Sequence, residues 1–213
     1  GSVQLAYKDW GFLNVTGRND WSSTLPKNNN SYFYPSASIS ILMNEILGWG
    51  ESGKLSYWKI RGNVSQIGSD ANPYQLYNTL SLSTWDNASQ VEQDLDLKNN
   101  TLKPEISTSY EGGTEMRFFG GRLGFDFTYY LTNTKNQIMN LATTLASGFS
   151  SRIINAGLIQ NKGFELAVFA TPVSGAFKWD VSASLSRNRN KVGELMEGIS
   201  EINIGGGEGV NYY

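Results

Sequence analysis

The chain has 213 residues, of which 13% are aromatic and only 17% are charged, and it contains 23 glycines. This composition is poorer in charge than that of an average soluble domain, and it suits a sheet with one apolar and one wet face, as in a barrel or a sandwich. A net charge of −2 supplies no basic footprint for nucleic acid, and the absence of cysteine and histidine excludes disulfides, thiolate or imidazole metal sites and imidazole-based catalytic triads.

Alternation of apolar and polar residues with a period of two is the dominant pattern, and it predicts β-strands. No apolar run approaches the ~20 residues that a membrane helix needs, so any crossing of a membrane would be made by strands. We predict an all-β antiparallel meander of about eight strands. In chain order these strands run over 3–8, 11–18, 33–43, 57–66, 109–118, 123–132, 164–170 and 177–185.

The clearest hairpin is centred on Gly120 and Gly121, a pair of residues typical of a two-residue turn. Such a turn determines which residues face each other on the two strands. It pairs Phe118 with Leu123, Met116 with Phe125, Thr114 with Phe127 and Gly112 with Tyr129. The apolar residues of both strands then share one face, which supports the predicted register.

The predicted connections alternate in length along the chain. Short ones lie at 8–10, 120–121 and 171–176, with a middling one at 44–56, whereas long polar ones lie at 19–32, 67–104 and 136–161. Membrane barrels have short periplasmic turns and long extracellular loops, while a soluble sandwich has no reason to collect its long loops at one end. The sequence therefore predicts a partial wall of a larger transmembrane barrel over 3–190, a further extracellular loop beginning in 191–213, and a tag remnant at 1–2.

Several short segments resemble, in order, the SusC/RagA type of TonB-dependent transporters. They are LNVTGRNDWSS at 13–23, YPSASIS at 34–40, GSDANPY at 68–74, LKPE at 102–105, NTKNQI at 133–138, NAG at 155–157, NKGFEL at 161–166 and NRNKV at 188–192. Each segment alone is weakly specific, but together they cover nearly the whole chain. The combination is therefore specific for this family.

The resemblance implies a much larger parent protein in the bacterial outer membrane. Such a parent has a plug with a TonB-contacting segment, a barrel of about 22 strands, a SusD-like surface lipoprotein as partner and the TonB complex as energy source. Its cargo would be an oligosaccharide or a peptide, and it needs no cofactor. By itself, a wall segment with two open edges is expected to self-associate through unpaired strand edges.

The charged residues of the predicted wet face are assigned to the lumen of the barrel. They are Lys59, Arg61, Glu111, Glu115, Arg117, Asp126, Glu165, Lys178 and Asp180. Their mixed signs indicate no preference for charged cargo and fit neutral, hydrogen-bonding cargo such as glycans slightly better. The predicted register also places Glu115 opposite Asp126, with Cβ atoms roughly 5 Å apart. This pair raises a retaining glycosidase or a cation site as an alternative, against the simpler interpretation that Arg117 offsets the repulsion.

Aromatic residues fall into two groups. Those on the apolar face are expected to form the interface girdles of a barrel rather than stacking platforms for sugars. Trp85, Tyr74, Tyr77 and Phe149 lie instead in long polar loops, where we expect cargo or lid contacts, with packing of the loops on each other as the alternative. Asp70 and Asp86 match no EF-hand spacing, so no metal site and no catalytic residue is predicted.

Two other classes of protein share parts of this pattern. A soluble carbohydrate-binding β-sandwich would also be rich in aromatic residues, Asn and Gly, but the loop asymmetry and the uncharged apolar face at 123–131 argue against it. A passive porin would share every feature of the wall and lack only the plug and the TonB contact. An enzyme ranks last, because its one plausible carboxylate pair has a simpler explanation.

Overall fold

The computed structural model describes residues 1–49 and 54–194, and most of these residues belong to one large sheet. The elements are β1 (Ser2–Tyr7), β2 (Gly11–Trp21), β3 (Ser31–Leu42), α1 (Met43–Leu47), β4 (Leu55–Ser69), β5 (Leu80–Trp85), β6 (Ala88–Gln93), β7 (Asp96–Leu97), β8 (Glu105–Phe118), β9 (Leu123–Ala142), β10 (Ser151–Val173) and β11 (Trp179–Glu194), with a 3₁₀ turn at Leu145–Ser147. The strand order is β1-β2-β3-β4-β8-β9-β10-β11, and all neighbours on this path are antiparallel. The predicted all-β meander is therefore confirmed.

The hairpin between β8 and β9 has the predicted register. Phe118 pairs with Leu123, Met116 with Phe125, Thr114 with Phe127 and Gly112 with Tyr129. Gly120 and Gly121 have φ angles of +64° and +86°. Phe119 before them also has a positive φ of +53°, so the chain reverses through three left-handed residues, a conformation that glycine adopts without steric cost.

The register divides the sheet into two faces, because residues directly opposite each other on antiparallel strands share a face. One face, which we call the apolar face, continues across the whole meander. Its members include Val3, Leu5, Leu13, Val15, Ile39, Ile60, Val64, Tyr110, Met116, Phe125, Phe127, Leu131, Phe164, Leu166, Val168, Val181 and Leu185. Many of these side chains are uncovered, for example Leu5 and Leu185 at 58% exposure each. Soluble monomers rarely leave so large a contiguous apolar surface open.

Aromatic residues gather where the short connections meet the apolar face. Trp49, which follows α1, stacks on Trp58 with ring centroids 6.2 Å apart. Tyr7 meets Trp10 edge to face at 5.3 Å, and Phe118 stacks on Phe125 at 6.5 Å. This clustering has the form expected of an interface girdle. No helix in the described part of the chain is long and apolar enough to cross a membrane.

The connections divide between the two ends of the sheet as predicted, although their bounds differ. One end carries 8–10, 43–54, 119–122 and 174–178, and the other carries 22–30, 70–104 and 143–150. The predicted connection 171–176 is displaced because β10 continues through Pro172 to Val173, which pairs with Trp179 across a bulge. The loop expected from 191 onward begins later, because β11 reaches Glu194; residues 195–213 lie outside the described part.

The predicted long loop at 136–161 is wrong. β9 continues to Ala142 and β10 begins at Ser151, so only 143–150 connects them. The Asn, Gln and Thr residues of this segment suggested a loop, yet the two strands pair with each other in register from Gln137 and Ala156 to Ala142 and Ser151. Backbone pairing decides strand length here, since polar side chains are compatible with an extended strand whose faces are wet.

The long connections are folded onto the end of the sheet. Leu25, Ala71 and Leu102 come from the connections 22–30 and 70–104, and they form a buried cluster with Ile153 of β10. Tyr32, Leu76 and Ile138 pack against this cluster. The connection 70–104 also contains the separate two-stranded sheet β5-β6 and the strand β7, which pairs in parallel with the start of β10.

Candidate functional site

The polar face of the sheet brings charged residues of neighbouring strands into adjacent rows. Lys59 on β4 pairs with Glu115 on β8, and Glu115 pairs with Asp126 on β9. In the next row Arg61 pairs with Gly113, and Gly113 pairs with Thr128. The predicted juxtaposition of Glu115 and Asp126 is present.

Arg61 reaches across β8 to bind β9. Its two terminal nitrogens donate to Asp126 at 2.9 and 2.5 Å, and Nη2 also donates to Thr128 Oγ1 at 2.6 Å. Gly113 lies beneath this crossing, and a Cβ added there would stand 2.9 Å from Arg61 Nε. A side chain at position 113 on β8 would therefore block the ion pair between Arg61 on β4 and Asp126 on β9.

Glu115 has its own cation. Arg117, two residues along the same strand, donates to Glu115 Oε1 through Nη2 at 2.6 Å and through Nε at 2.9 Å. The Arg117 guanidinium also lies over the Tyr57 ring at 5.1 Å from its centroid. We expected Arg117 to offset the repulsion between Glu115 and Asp126, and its ion pair with Glu115 does so. Arg61, which was not expected to take part, binds Asp126.

Both carboxylates of the juxtaposed pair take part in ion pairs with arginine. Each carboxylate accepts two hydrogen bonds from one guanidinium. The described residues also contain no cluster of three or more His, Cys, Asp or Glu side chains that could hold a metal ion.

A shallow cleft lies beside the ion pairs, where β3, β4 and β8 meet. It is lined by Ser38, Ser40, Lys59, Arg61, Asn63 and Glu111, with Gly112 and Gly113 at its floor. Hydroxyl pairs extend this surface along the strands, with Thr16 bonded to Ser36 at 2.6 Å and Ser109 to Thr132 at 2.9 Å. These hydroxyls were not among the predicted site residues, although the alternation of serines at 36, 38 and 40 indicates a polar face on β3.

The remaining charged residues of the predicted set are dispersed. Glu111 and Glu165 are exposed on strands of the same sheet. Lys178 lies in the connection 174–178 and forms an exposed ion pair of 3.0 Å with Asp180, at the end of the sheet that carries the short connections. Glu165, Lys178 and Asp180 therefore do not join the cluster around Arg61, whereas Glu111 lines the cleft beside it.

The predicted loop aromatics are not assembled into one site. Tyr74, Tyr77 and Trp85 are 91%, 67% and 74% exposed, and Phe149 is half-buried in 143–150. Trp85 ends β5 at the tip of the β5-β6 hairpin, before the turn at Asp86 and Asn87. Exposure of this kind leaves these rings available for contacts outside the described residues.

Polar contacts fasten the loops that carry these aromatics. Asp70 accepts a hydrogen bond from Ser22 at 2.5 Å, so the connection 70–104 is tied to 22–30. Asn155 on β10 bonds both backbone groups of Lys103, accepting from the N–H at 2.9 Å and donating to the carbonyl at 2.8 Å. In the turn before β7, the Asp96 backbone N–H and the Lys98 ammonium lower the pKa of Asp94 below its usual value of 3.8. These contacts hold the connection 70–104 against neighbouring segments of the chain.

Comparison with known proteins decides the family. Residues 1–212 match the family described as TonB dependent receptor-like, beta-barrel. The chain belongs to this family. The predicted resemblance to TonB-dependent transporters of the SusC/RagA type is confirmed by the relatives and structures that this receptor chain matches.

TonB-dependent receptor P3 from Formosa agariphila is 29% identical over 203 residues, which cover 93% of this chain and 20% of the relative. TonB-dependent receptor SusC from Bacteroides thetaiotaomicron is 28% identical over 102 residues, covering 47% of this chain and 10% of SusC. The RagAB peptide importer in its closed-closed state superposes with a TM-score of 0.87 at 20% identity, over 95% of this chain and 23% of that chain. The receptor chain thus spans about a fifth of the first curated relative.

Proposed function

We propose that this chain is part of the wall of an outer-membrane barrel in a bacterial TonB-dependent nutrient transporter. Its apolar face contacts lipid and its polar face lines the lumen. The uncovered apolar face carries this proposal: Leu166 stands in register between Phe127 and Leu185, and Phe127 is still 37% exposed. An outward apolar band on strands with a polar opposite face is what a lipid-facing barrel wall requires.

The lengths of β9 and β10 support a membrane-spanning wall and indicate which end of it is extracellular. A transmembrane strand needs roughly 9–11 residues, whereas β9 has 20 and β10 has 23. Both strands therefore continue well beyond the bilayer, toward the end that carries the long connections. By the usual asymmetry of such barrels, this end is extracellular, and the aromatic cluster of Trp49 and Trp58 lies near the periplasmic interface.

The transported cargo is proposed to be an oligosaccharide or a peptide, drawn in by the TonB complex and retained by a SusD-like lipoprotein outside. SusC among the relatives and a peptide importer among the similar structures support this choice. The mixed charges and hydroxyls of the polar face suit neutral, hydrogen-bonding cargo. Membership of the TonB-dependent receptor family favours energised transport over a passive porin. The ion pairs of Glu115 and Asp126 with arginine favour transport over catalysis.

Adjacent residues test which face meets lipid. Leu166→Arg, in the full-length protein, is expected to lower barrel stability by about 2 to 4 kcal/mol if the site lies near the bilayer midplane. Ala167→Arg, the matched control on the polar face, should be far milder because its guanidinium stays in water. Unfolding by denaturant and heat-modifiable gel migration, both in lipid vesicles, measure the difference. Equal losses, or a larger loss for Ala167→Arg, would refute the membrane-wall assignment.

The exposed hairpin tests the role of the loops. Replacing the β5-β6 hairpin by a short Gly-Ser linker should impair growth on oligosaccharides or on a peptide digest, while the amount of assembled barrel stays unchanged. The hairpin makes no ladder with the main sheet, so assembly does not depend on it. A loss of assembled barrel with normal uptake per barrel would remove the functional assignment of the loop aromatics.

The isolated chain offers a further check. Among the strands that the structure describes, β1 pairs only with β2, and β11 only with β10, so both edges present unpaired backbone groups. We expect self-association through these edges or a requirement for detergent. A strictly monomeric species in detergent-free sedimentation at high concentration would contradict this expectation.

A further inference from the structure

A group of cationic side chains continues the apolar face beyond its hydrophobic part, on the side of the long connections. The group, which we call the cationic cluster, consists of Lys162 on β10 and Arg187, Arg189 and Lys191 on β11, all exposed. Arg187 follows Leu185 on the same face and pairs with Phe164 of the apolar face. The face therefore changes from apolar to cationic within two residues along β11.

The strand register places like charges of the cluster opposite each other. Lys162 pairs directly with Arg189, which places their Cβ atoms about 5 Å apart. Arg187 and Lys191 flank Arg189 on the same face, roughly 7 Å away along the strand. Directly opposed like charges destabilise a sheet unless an anion lies between them.

Three carboxylates on neighbouring positions of these strands do not supply that anion. Asp126, Glu165 and Asp180 are on the polar face, on the far side of the sheet from the cluster. The ion pairs among the side chains of residues 1–49 and 54–193 involve none of the cluster's side chains. The cluster thus places four positive charges on the face of the sheet opposite to these three carboxylates.

The position of the cluster indicates which anion it meets. The rows Leu166 with Leu185 and Val168 with Ala183 lie directly on the short-connection side of it, and under the proposed function these rows contact acyl chains. The next level outward in a bilayer is that of the headgroups. We propose that the cationic cluster binds the phosphate groups of anionic lipids in the outer leaflet of the membrane; this rests on the proposed assignment of the apolar face to lipid.

The side chains suit a phosphate headgroup. The guanidinium groups of Arg187 and Arg189 each present parallel N–H donors that match two phosphate oxygens, while Lys162 and Lys191 add mobile point charges. Basic residues at the membrane surface each strengthen attachment to anionic lipid by about fivefold. An acyl chain on the same lipid can lie along the adjoining apolar rows, which a soluble anion cannot do.

The test compares double variants of equal charge in the full-length protein. Lys162→Gln with Arg189→Gln removes the opposed pair, and Lys8→Gln with Lys54→Gln removes exposed cations at the opposite end of the sheet. Phosphatidic acid retained by protein in neutral detergent is titrated by native mass spectrometry, with phosphatidylcholine as the uncharged reference. We expect roughly thirtyfold weaker retention of phosphatidic acid in the first variant only, and no change for phosphatidylcholine.

Three outcomes overturn the proposal. Equal retention in both double variants shows that the cluster does not select the lipid. Displacement of the lipid by millimolar inorganic phosphate shows a site for free anions instead. A lower unfolding midpoint of Lys162→Gln with Arg189→Gln in neutral detergent shows that a carboxylate of the protein pairs the cluster, because removal of an unpaired like-charge contact should leave the midpoint unchanged or raise it.

The lipid site and the wall assignment fail in different ways. If Leu166→Arg is costly and Ala167→Arg is mild, the wall assignment stands, and equal phosphatidic acid retention then refutes only the cationic cluster. If both arginine variants behave alike, the wall assignment itself fails, and with it the orientation on which the lipid site depends.

Discussion

The middle of the sheet and the end that carries the long connections are stabilised differently. The buried hydrophobic residues of the described chain are Leu25, Ala71, Leu102, Ile153, Ile154 and Ala156, all at the long-connection end. The middle of the sheet has partly or largely exposed hydrophobic residues and is held by its strand ladders. The loop end is thus organised like a small soluble core, whereas the sheet leaves its apolar side to its surroundings. We therefore expect the stability cost of a mutation in the middle of the sheet to depend on whether the protein is in lipid or in detergent. The cost of a mutation at the end with the long connections should be the same in both.

Leu102→Ala should have the largest effect and should be confined to the loop end. Leu102 is fully buried at 0% exposure, so its truncation is expected to weaken docking of 70–104 by about 2 to 5 kcal/mol. Hydrogen exchange of this connection measures the loss, which should be the same in detergent and in lipid. Leu82→Ala, at 81% exposure, is the control and should change little. Loss of protection throughout β8 to β10 would show that the two regions are not separable.

Gly163→Ala should destabilise the main sheet, because the added Cβ clashes with the neighbouring strands. A Cβ at this position would meet the Arg187 carbonyl oxygen and stand 2.6 Å from Tyr130 Oη, so backbone on β11 must move. A cost of about 1 to 3 kcal/mol is expected for such overpacking. Gly112→Ala on β8, with nothing within 4 Å of its Cβ, is the matched control. Comparable unfolding midpoints for the two variants would contradict the close strand approach at Gly163.

The ion pair across Gly113 should be measurably coupled. Arg61 and Asp126 are 33% and 34% exposed, and a double-mutant cycle with Arg61→Gln and Asp126→Asn should give a coupling of about 1 kcal/mol. Lys178 and Asp180 are 65% and 57% exposed, and the cycle with Lys178→Gln and Asp180→Asn should give a value near zero. Unfolding in detergent yields both values. Similar couplings would mean that the crossing over Gly113 adds nothing to the pair.

The smallest effect concerns acid at the loop end. The folded loop lowers the pKa of Asp94, first through the Asp96 backbone N–H and then through Lys98. A depressed carboxyl pKa stabilises the fold above the pKa of the unfolded chain, and the stabilisation disappears as the pH falls through the folded value. Hydrogen exchange around 94–98 should therefore rise slightly below about pH 4. Asp94→Asn should remove this pH dependence; a rise of equal size in that variant would assign it to another group.

Alternation along the chain was sufficient to predict the class of fold and the division into faces. Phe125, Phe127 and Leu131 repeat with the period of a strand, and Gly120 with Gly121 determines where the chain reverses. Both signals are local, because side-chain direction and turn geometry depend on neighbouring residues. The register of the β8-β9 hairpin followed from these residues alone.

Strand length was less accessible from the sequence. The polar segments at 136–142 and 151–161 carry the composition of a loop, but 137–142 pair with 151–156, and 158–161 pair with 132–135. Pairing depends on whether a partner strand continues alongside, and composition does not report that. The same limit explains why the fold of 70–104 onto the sheet was not predicted.

The sequence by itself determined which residues share the apolar face and which share the polar face, since side-chain direction alternates residue by residue along an extended chain. Only the tertiary structure decided which partners meet. Arg61 binds Asp126 rather than leaving it to Arg117, because a glycine on the strand between them opens the path. Leu25 meets Leu102 because two connections converge on one end of the sheet. Contacts between residues far apart in sequence depend on the register of every strand between them, and local patterns do not carry that information.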